Sequence, residues 1–134
     1  MRYYMALLHA RAGGYDVTVP DLPGCTASGR SVPDAMRAGA EAMRLWAEAE
    51  ASAGRAVPAP SKADTLRSAP DVAEEVAGGA LAAMLPLLAD AGRSQRINIT
   101  MDAGLLEAVD AAARARGLTR SAFLASAARD KIAG

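Results

Sequence analysis

Gln95–Asp102 reads QRINITMD. Polar and apolar residues alternate along it: Arg96, Asn98 and Thr100 fall on one side, Ile97, Ile99 and Met101 on the other. A period of two predicts a half-buried β-strand. No second strand follows, because the rest of the chain reads as helix. A lone strand leaves backbone N–H and C=O groups unpaired. The simplest partner is the same strand of a second chain, paired antiparallel across a twofold axis. Ile97, Ile99 and Met101 would then be buried, and the outer face of the ribbon would carry Arg96, Asn98 and Thr100 from each chain.

The residues after the ribbon predict two helices. Asp102 can cap the first, with Leu106, Val109 and Ala113 inward. RARGLT closes it, with Arg114 and Arg116 near the negative end of the helix dipole and Gly117 as the C′ residue. Thr119 caps the second helix, whose predicted buried face is Phe123, Leu124, Ala127, Ala128 and Ile132. A strand and two helices in about 40 residues do not close a core alone. The expected dimer core is therefore Ile97, Ile99, Met101, Leu106, Val109, Phe123 and Leu124.

A two-stranded ribbon fits the major groove of B-DNA. Arg can donate twice to guanine, Asn can bond adenine bidentately, and Thr can bond a base edge or touch a thymine methyl. Arg96, Asn98 and Thr100 are thus the expected base contacts. Thr119, Arg120 and Ser121 open the second helix with hydroxyls, a guanidinium and free N–H groups, the expected phosphate contacts.

Charge is distributed in the same sense. The whole chain is neutral, but residues 1–90 hold 8 basic and 11 acidic residues, and residues 91–134 hold 7 and 4. An acidic front part and a basic tail are expected of a chain whose tail meets nucleic acid.

The front part predicts strand, strand, strand, helix, strand. Tyr3–Ala10 and Tyr15–Val19 flank the Gly-rich RAGG as a hairpin, with Tyr15, Val17 and Val19 on one face. Pro23-Gly24 fits the centre of a type II turn, and Cys25–Ser28 forms a short third strand. Ser31 caps a helix running to about Ala51, with Pro33 in its first turn and Asp34 three residues after the cap. Val32, Met36, Met43 and Trp46 make its apolar stripe, with Gly39 and Ala40 in the middle. Arg37, Glu41, Arg44 and Glu48 make a charged stripe, expected to be a solvated face laced by weak ion pairs. Gly54–Asp64 reads as an extended connector, followed by short helical turns at Ser61–Arg67 and Asp71–Val76. Gly78–Leu88 suits a buried strand of the first sheet, and Ala89–Ser94 a linker.

Catalytic chemistry is not in evidence. Met1–Ala10 contains no Asp or Glu, so the opening strand lacks the carboxylate that a metal-dependent nuclease of the ribonuclease H type requires. His9 has no assignable nucleophile beside it and reads as an exposed or hydrogen-bonded strand-end residue. Cys25, the only cysteine, lacks an activating group and excludes an intrachain disulfide. No Gly-rich phosphate loop is present. The expectation is a non-enzymatic protein with no metal and no cofactor. With no secretory signal and no apolar run long enough for a bilayer, it is expected to be soluble, cytoplasmic and free of membrane contacts.

These stretches resemble known families. Arg96–Ile132, RINITMDAGLLEAVDAAARARGLTRSAFLASAARDKI, looks like a ribbon-helix-helix DNA-binding domain. Tyr15–Met43, YDVTVPDLPGCTASGRSVPDAMRAGAEAM, resembles the HicB antitoxin family in its Pro-Asp-Leu-Pro-Gly-Cys turn, its following Gly and its helix beginning near Pro-Asp-Ala. The resemblance implies an α+β protein. Residues 1–90 would form a partial ribonuclease H-like, toxin-binding domain (β-β-β-α-β) without nuclease activity, and residues 95–134 a dimerising, DNA-binding ribbon-helix-helix domain. It also implies a partner, a HicA-like toxin that cleaves mRNA, and a second role as repressor of the protein's own operon through operator double-stranded DNA. Assembly would be a homodimer or a dimer of dimers. Candidate toxin contacts are Arg37, Glu41 and Arg44 on the first helix and Asp21, Leu22 and Cys25 at the turn. The alternatives are a stand-alone ribbon-helix-helix regulator with a partner- or ligand-sensing front domain, and a degenerate nuclease that retains activity.

Overall fold

A computed structural model describes residues 1–88 and 95–134. The chain divides into two compact units, one on each side of the undescribed residues. The expected linker Ala89–Ser94 lies outside the described residues.

The first unit is built on a four-stranded antiparallel sheet. Its strands are β1 (Arg2–Arg11), β2 (Gly14–Thr18), β3 (Thr26–Gly29) and β4 (Leu81–Leu87), in the order β3-β2-β1-β4. Arg11 pairs with Gly14 across the hairpin, and Tyr4 pairs with Leu85 across the β1–β4 ladder. Strand parity then distributes the side chains over two cores. Tyr4, Ala6 and Leu8 join Val17, Leu85 and Leu87 on one face; Met5 and Leu7 lie on the other. Tyr4–Leu8 is buried throughout, because β1 is covered on both faces.

The first face is covered by α1 (Val32–Ser52). The Ser31 hydroxyl accepts from the Asp34 N–H, so the helix begins at the expected cap. Its buried line is Ala35, Gly39, Met43 and Ala47, one residue per turn, with Val32, Met36 and Trp46 packed at the margin. The expected stripe thus forms the edge of the contact, and small residues form its centre. A Cβ on Gly39 would stand 2.8 Å from Leu85 Cδ1 and 3.2 Å from Val17 Cγ1. The glycine inside the helix therefore lets α1 approach the sheet closely.

The second face is covered by what the sequence presents as a connector. Its helical turns are α2 (Ala63–Ser68) and α3 (Pro70–Ala77), and Leu66 and Val72 close on Met5, Leu7 and Ala80. Gly78–Leu88 does supply the fourth strand, at the sheet edge beside β1. Pro86 sits in that strand, where a missing N–H is tolerated because only one side is paired.

The second unit contains α4 (Ala103–Ala115) and α5 (Arg120–Ala133). Asp102 caps α4 by accepting from the Leu105 N–H. Gly117, at φ +67°, ends it: the Leu118 N–H donates to the Ala113 carbonyl and the Gly117 N–H to the Arg114 carbonyl, the two bonds of a Schellman motif. Thr119 caps α5, its hydroxyl accepting from the Ala122 N–H.

Two expectations change here. Residues 95–101 form neither strand nor helix in the single chain. The helix α5 has no buried residue: Phe123 and Leu124 are half-buried, while Ala127, Ala128 and Ile132 are exposed. The physical reason is the same in both cases. One copy of a strand and two helices supplies too little apolar surface to cover either element. No described helix is long and apolar enough to cross a membrane.

Candidate functional site

The residues expected to act lie on two surfaces, one in each unit. In the second unit, Ile97 and Ile99 are 74% and 60% exposed, Met101 and Leu106 are half-buried, and Val109 is buried. Of the seven residues expected to form a dimer core, only Val109 is buried within one chain. Arg96, Asn98 and Thr100 are exposed, as are Thr119, Arg120 and Ser121. The guanidinium of Arg120 is engaged: it donates to both carboxylate oxygens of Asp110, at 2.8 and 2.9 Å. That bond holds the Asp110 carboxyl below its ordinary range. Arg116 lies 5.7 Å from the centre of the Phe123 ring, a cation–π contact. No periodicity in the sequence marks Asp110, in the middle of its helix, as the partner of an Arg ten residues on.

In the first unit, the Pro-Asp-Leu-Pro-Gly-Cys turn is held by backbone bonds and by its buried Leu22 and Cys25. The Leu22 N–H donates to the Val19 carbonyl and the Cys25 N–H to the Leu22 carbonyl, with Gly24 at φ +82°. The side chains of Leu22 and Cys25 are buried in the core against α1. Expected as toxin contacts, they are placed by the structure in the core, where a partner reaching this edge meets neither side chain without unpacking it. Burial also pushes the Cys25 thiol pKa up, away from thiolate chemistry.

Asp21 is likewise committed. Its carboxylate accepts from the Ser61 N–H at 2.8 Å and the Ser61 hydroxyl at 2.7 Å. The Tyr4 hydroxyl donates to the Pro58 carbonyl, and the Trp46 indole N–H donates to the Pro23 carbonyl at 3.0 Å. Burial pushes the Tyr4 phenol pKa up. The turn therefore ties the connector and α1 to the end of the sheet.

The charged stripe on α1 lies at the surface, with Arg44 half-buried, and carries ion pairs along the helix. Arg37 pairs with Asp34, and Arg44 pairs with Glu41 at 2.7 Å and with Glu48 at 3.3 Å. Leu45, 52% exposed, stands among these charges and was not picked out by the apolar pattern. His9 ends near α3, its Nε2 3.0 Å from Glu75. Among the described residues no three His, Cys, Asp or Glu side chains are grouped to hold a metal ion.

Residues 3–128 match the model of a family described as HicB-like antitoxins of bacterial toxin–antitoxin systems. The antitoxin HicB of Burkholderia pseudomallei, known from a crystal structure, is 30% identical, with 98% of this chain and 99% of that chain covered and a TM-score of 0.56. The crystal structure of antitoxin HicB3 is 29% identical, covers 97% of both chains and has a TM-score of 0.56. A chain of the HicA3 and HicB3 toxin–antitoxin complex shares the fold at 23% identity, over 63% of this chain and 96% of that one, with a TM-score of 0.54. No curated protein sequence matches. With its α+β architecture and a family match over nearly its whole length, the chain belongs to the HicB-like antitoxin family of bacterial toxin–antitoxin systems.

Proposed function

We propose that this antitoxin neutralises a HicA-like, mRNA-cleaving toxin through its first unit and represses its own operon through its second. The observation that carries the DNA-binding half is the segment 95–101. It alternates strictly, its Ile97 and Ile99 are open to solvent, and it leads into two capped helices that lack a closed core. A second copy supplies what is missing: strand pairing for 95–101 and cover for Ile97, Ile99, Phe123 and Leu124. The resulting ribbon presents Arg96, Asn98 and Thr100 to base edges in the major groove. Thr119, Ser121 and the first turn of α5 then face the phosphates.

The toxin half rests on the family's description as antitoxins and on a HicA3–HicB3 complex among its structural neighbours. Within the first unit, the α1 face around Arg37, Glu41, Arg44 and Leu45 is the candidate contact surface, since the Leu22 and Cys25 side chains of the turn are buried in the core. The protein acts by binding and carries out no catalysis.

Arg96→Ala combined with Asn98→Ala should abolish specific binding to the duplex upstream of the coding region while leaving the dimer folded. Unchanged affinity at fixed salt would falsify the ribbon assignment. Co-expression with the neighbouring small open reading frame should yield a co-purifying complex, and a chain truncated at Gly92 should retain that partner and lose DNA. DNA binding by the truncated chain would place the DNA surface elsewhere.

A further inference from the structure

Arg120 opens α5, and an Arg at the start of a helix in a DNA-binding unit is ordinarily counted as a phosphate contact. Its surroundings argue otherwise. Nε donates to one oxygen of Asp110 and Nη2 to the other, at 2.8 and 2.9 Å. Two parallel bonds fix both the position and the plane of the guanidinium. Asp110 stands in the middle of α4, next to the buried Val109, and its side chain is 28% exposed against 56% for Arg120. The carboxylate is thus the more firmly placed partner, and it neutralises the charge that a phosphate would seek.

The pair also occupies a position where packing supplies little. No residue of α5 is buried within the chain. Thr119 caps the helix but bonds only to α5 itself, through the Ala122 and Phe123 N–H groups. Arg116 over the Phe123 ring is a second link between the end of α4 and α5. The orientation of the start of α5 therefore depends heavily on side-chain bonds to α4.

Resting on the DNA-binding reading above, we propose that Arg120 is a positioning residue and not a phosphate contact, and that Asp110 is its partner. The pair pins the start of α5 to the middle of α4 and so sets how the first turn of α5 is presented to DNA.

The test uses the full chain and a duplex covering the region upstream of its own coding sequence, titrated over a salt series. Arg120→Gln and Asp110→Asn should each weaken binding by a similar factor, roughly tenfold for the loss of a charged hydrogen-bonded pair. The salt slope should not change, because no phosphate contact is removed. The swapped variant, Asp110→Arg with Arg120→Asp, should recover most of the affinity. Arg120→Lys should fall between, since an ammonium cannot make both bonds in one plane.

If Arg120→Gln flattens the slope by about 0.9 while Asp110→Asn tightens binding, Arg120 is a phosphate contact and the proposal fails. A swap that recovers nothing also overturns it. If the wild-type chain does not bind the duplex, the DNA-binding reading fails instead. The pair is then read from thermal unfolding: both single variants should lower the midpoint and the swap should restore it, and wild-type midpoints in the singles overturn the pairing.

Discussion

Leu22 and Cys25 sit in the motif that resembles the family most closely, yet both side chains face inward. Leu22→Ala should therefore act on stability, costing about 2–5 kcal/mol of unfolding free energy through the lost burial and the cavity left behind. Equilibrium denaturation measures this; a loss well under 1 kcal/mol, roughly the scale of an exposed substitution, would contradict the burial. Cys25 should react negligibly with a thiol reagent in the native protein and fully after denaturation, because its thiol is buried and its pKa is raised. Rapid native labelling would show that the turn opens. Asp21 joins the turn to Ser61, so Asp21→Ala should raise amide hydrogen exchange at residues 57–61, where backbone order depends on that contact. These residue roles were half legible. The Pro-Gly turn follows from the dihedral needs of the two residues. That Asp21 bonds a residue 40 positions away does not, because the bond exists only once the connector has folded back.

The elements were largely legible, for a local reason. Caps and stops are written within four residues of the helix ends they control, and Ser31, Asp102, Gly117 and Thr119 all act where the sequence places them. Gly117→Ala should cost about 1–2 kcal/mol, since a Cβ at φ +67° is strained. The same change at an open helical position would gain stability, so the sign of the shift in melting temperature decides the point. At the C-terminal end of α1, Arg55 donates to both oxygens of Glu50 at 2.8 and 3.0 Å and holds its carboxyl below the ordinary value of 4.5. The folded value is the lower one, so the contribution of this pair is present above that ordinary value and is lost as pH falls through the depressed value. Glu50→Gln should lower the melting temperature at about pH 7, and the gap to wild type should close as the pH falls through the depressed value. A gap that persists in acid would assign the effect to something other than this charge pair.

At the scale of the molecule, the two units differ in how far a single chain covers its apolar side chains. The first unit closes two cores around a doubly covered strand. The second exposes Ile97, Ile99, Leu105, Leu118 and Ile132. Ile99→Lys should therefore leave the first unit folded and shift the protein toward monomer in analytical ultracentrifugation, since a charge cannot be buried unpaired in the proposed ribbon. A dimer of unchanged affinity would move the interface away from residues 95–101. The sequence by itself determined the order of strands and helices in the first unit, the caps and the parity of Gln95–Asp102. All of these depend on residue type and on spacings of a few positions. Only the tertiary structure decided that the connector covers the second face of the sheet, that the family's turn is committed to the core, and that Arg120 is held by Asp110. Those facts rest on contacts between residues ten to more than sixty positions apart, and no local pattern encodes which distant side chain will arrive.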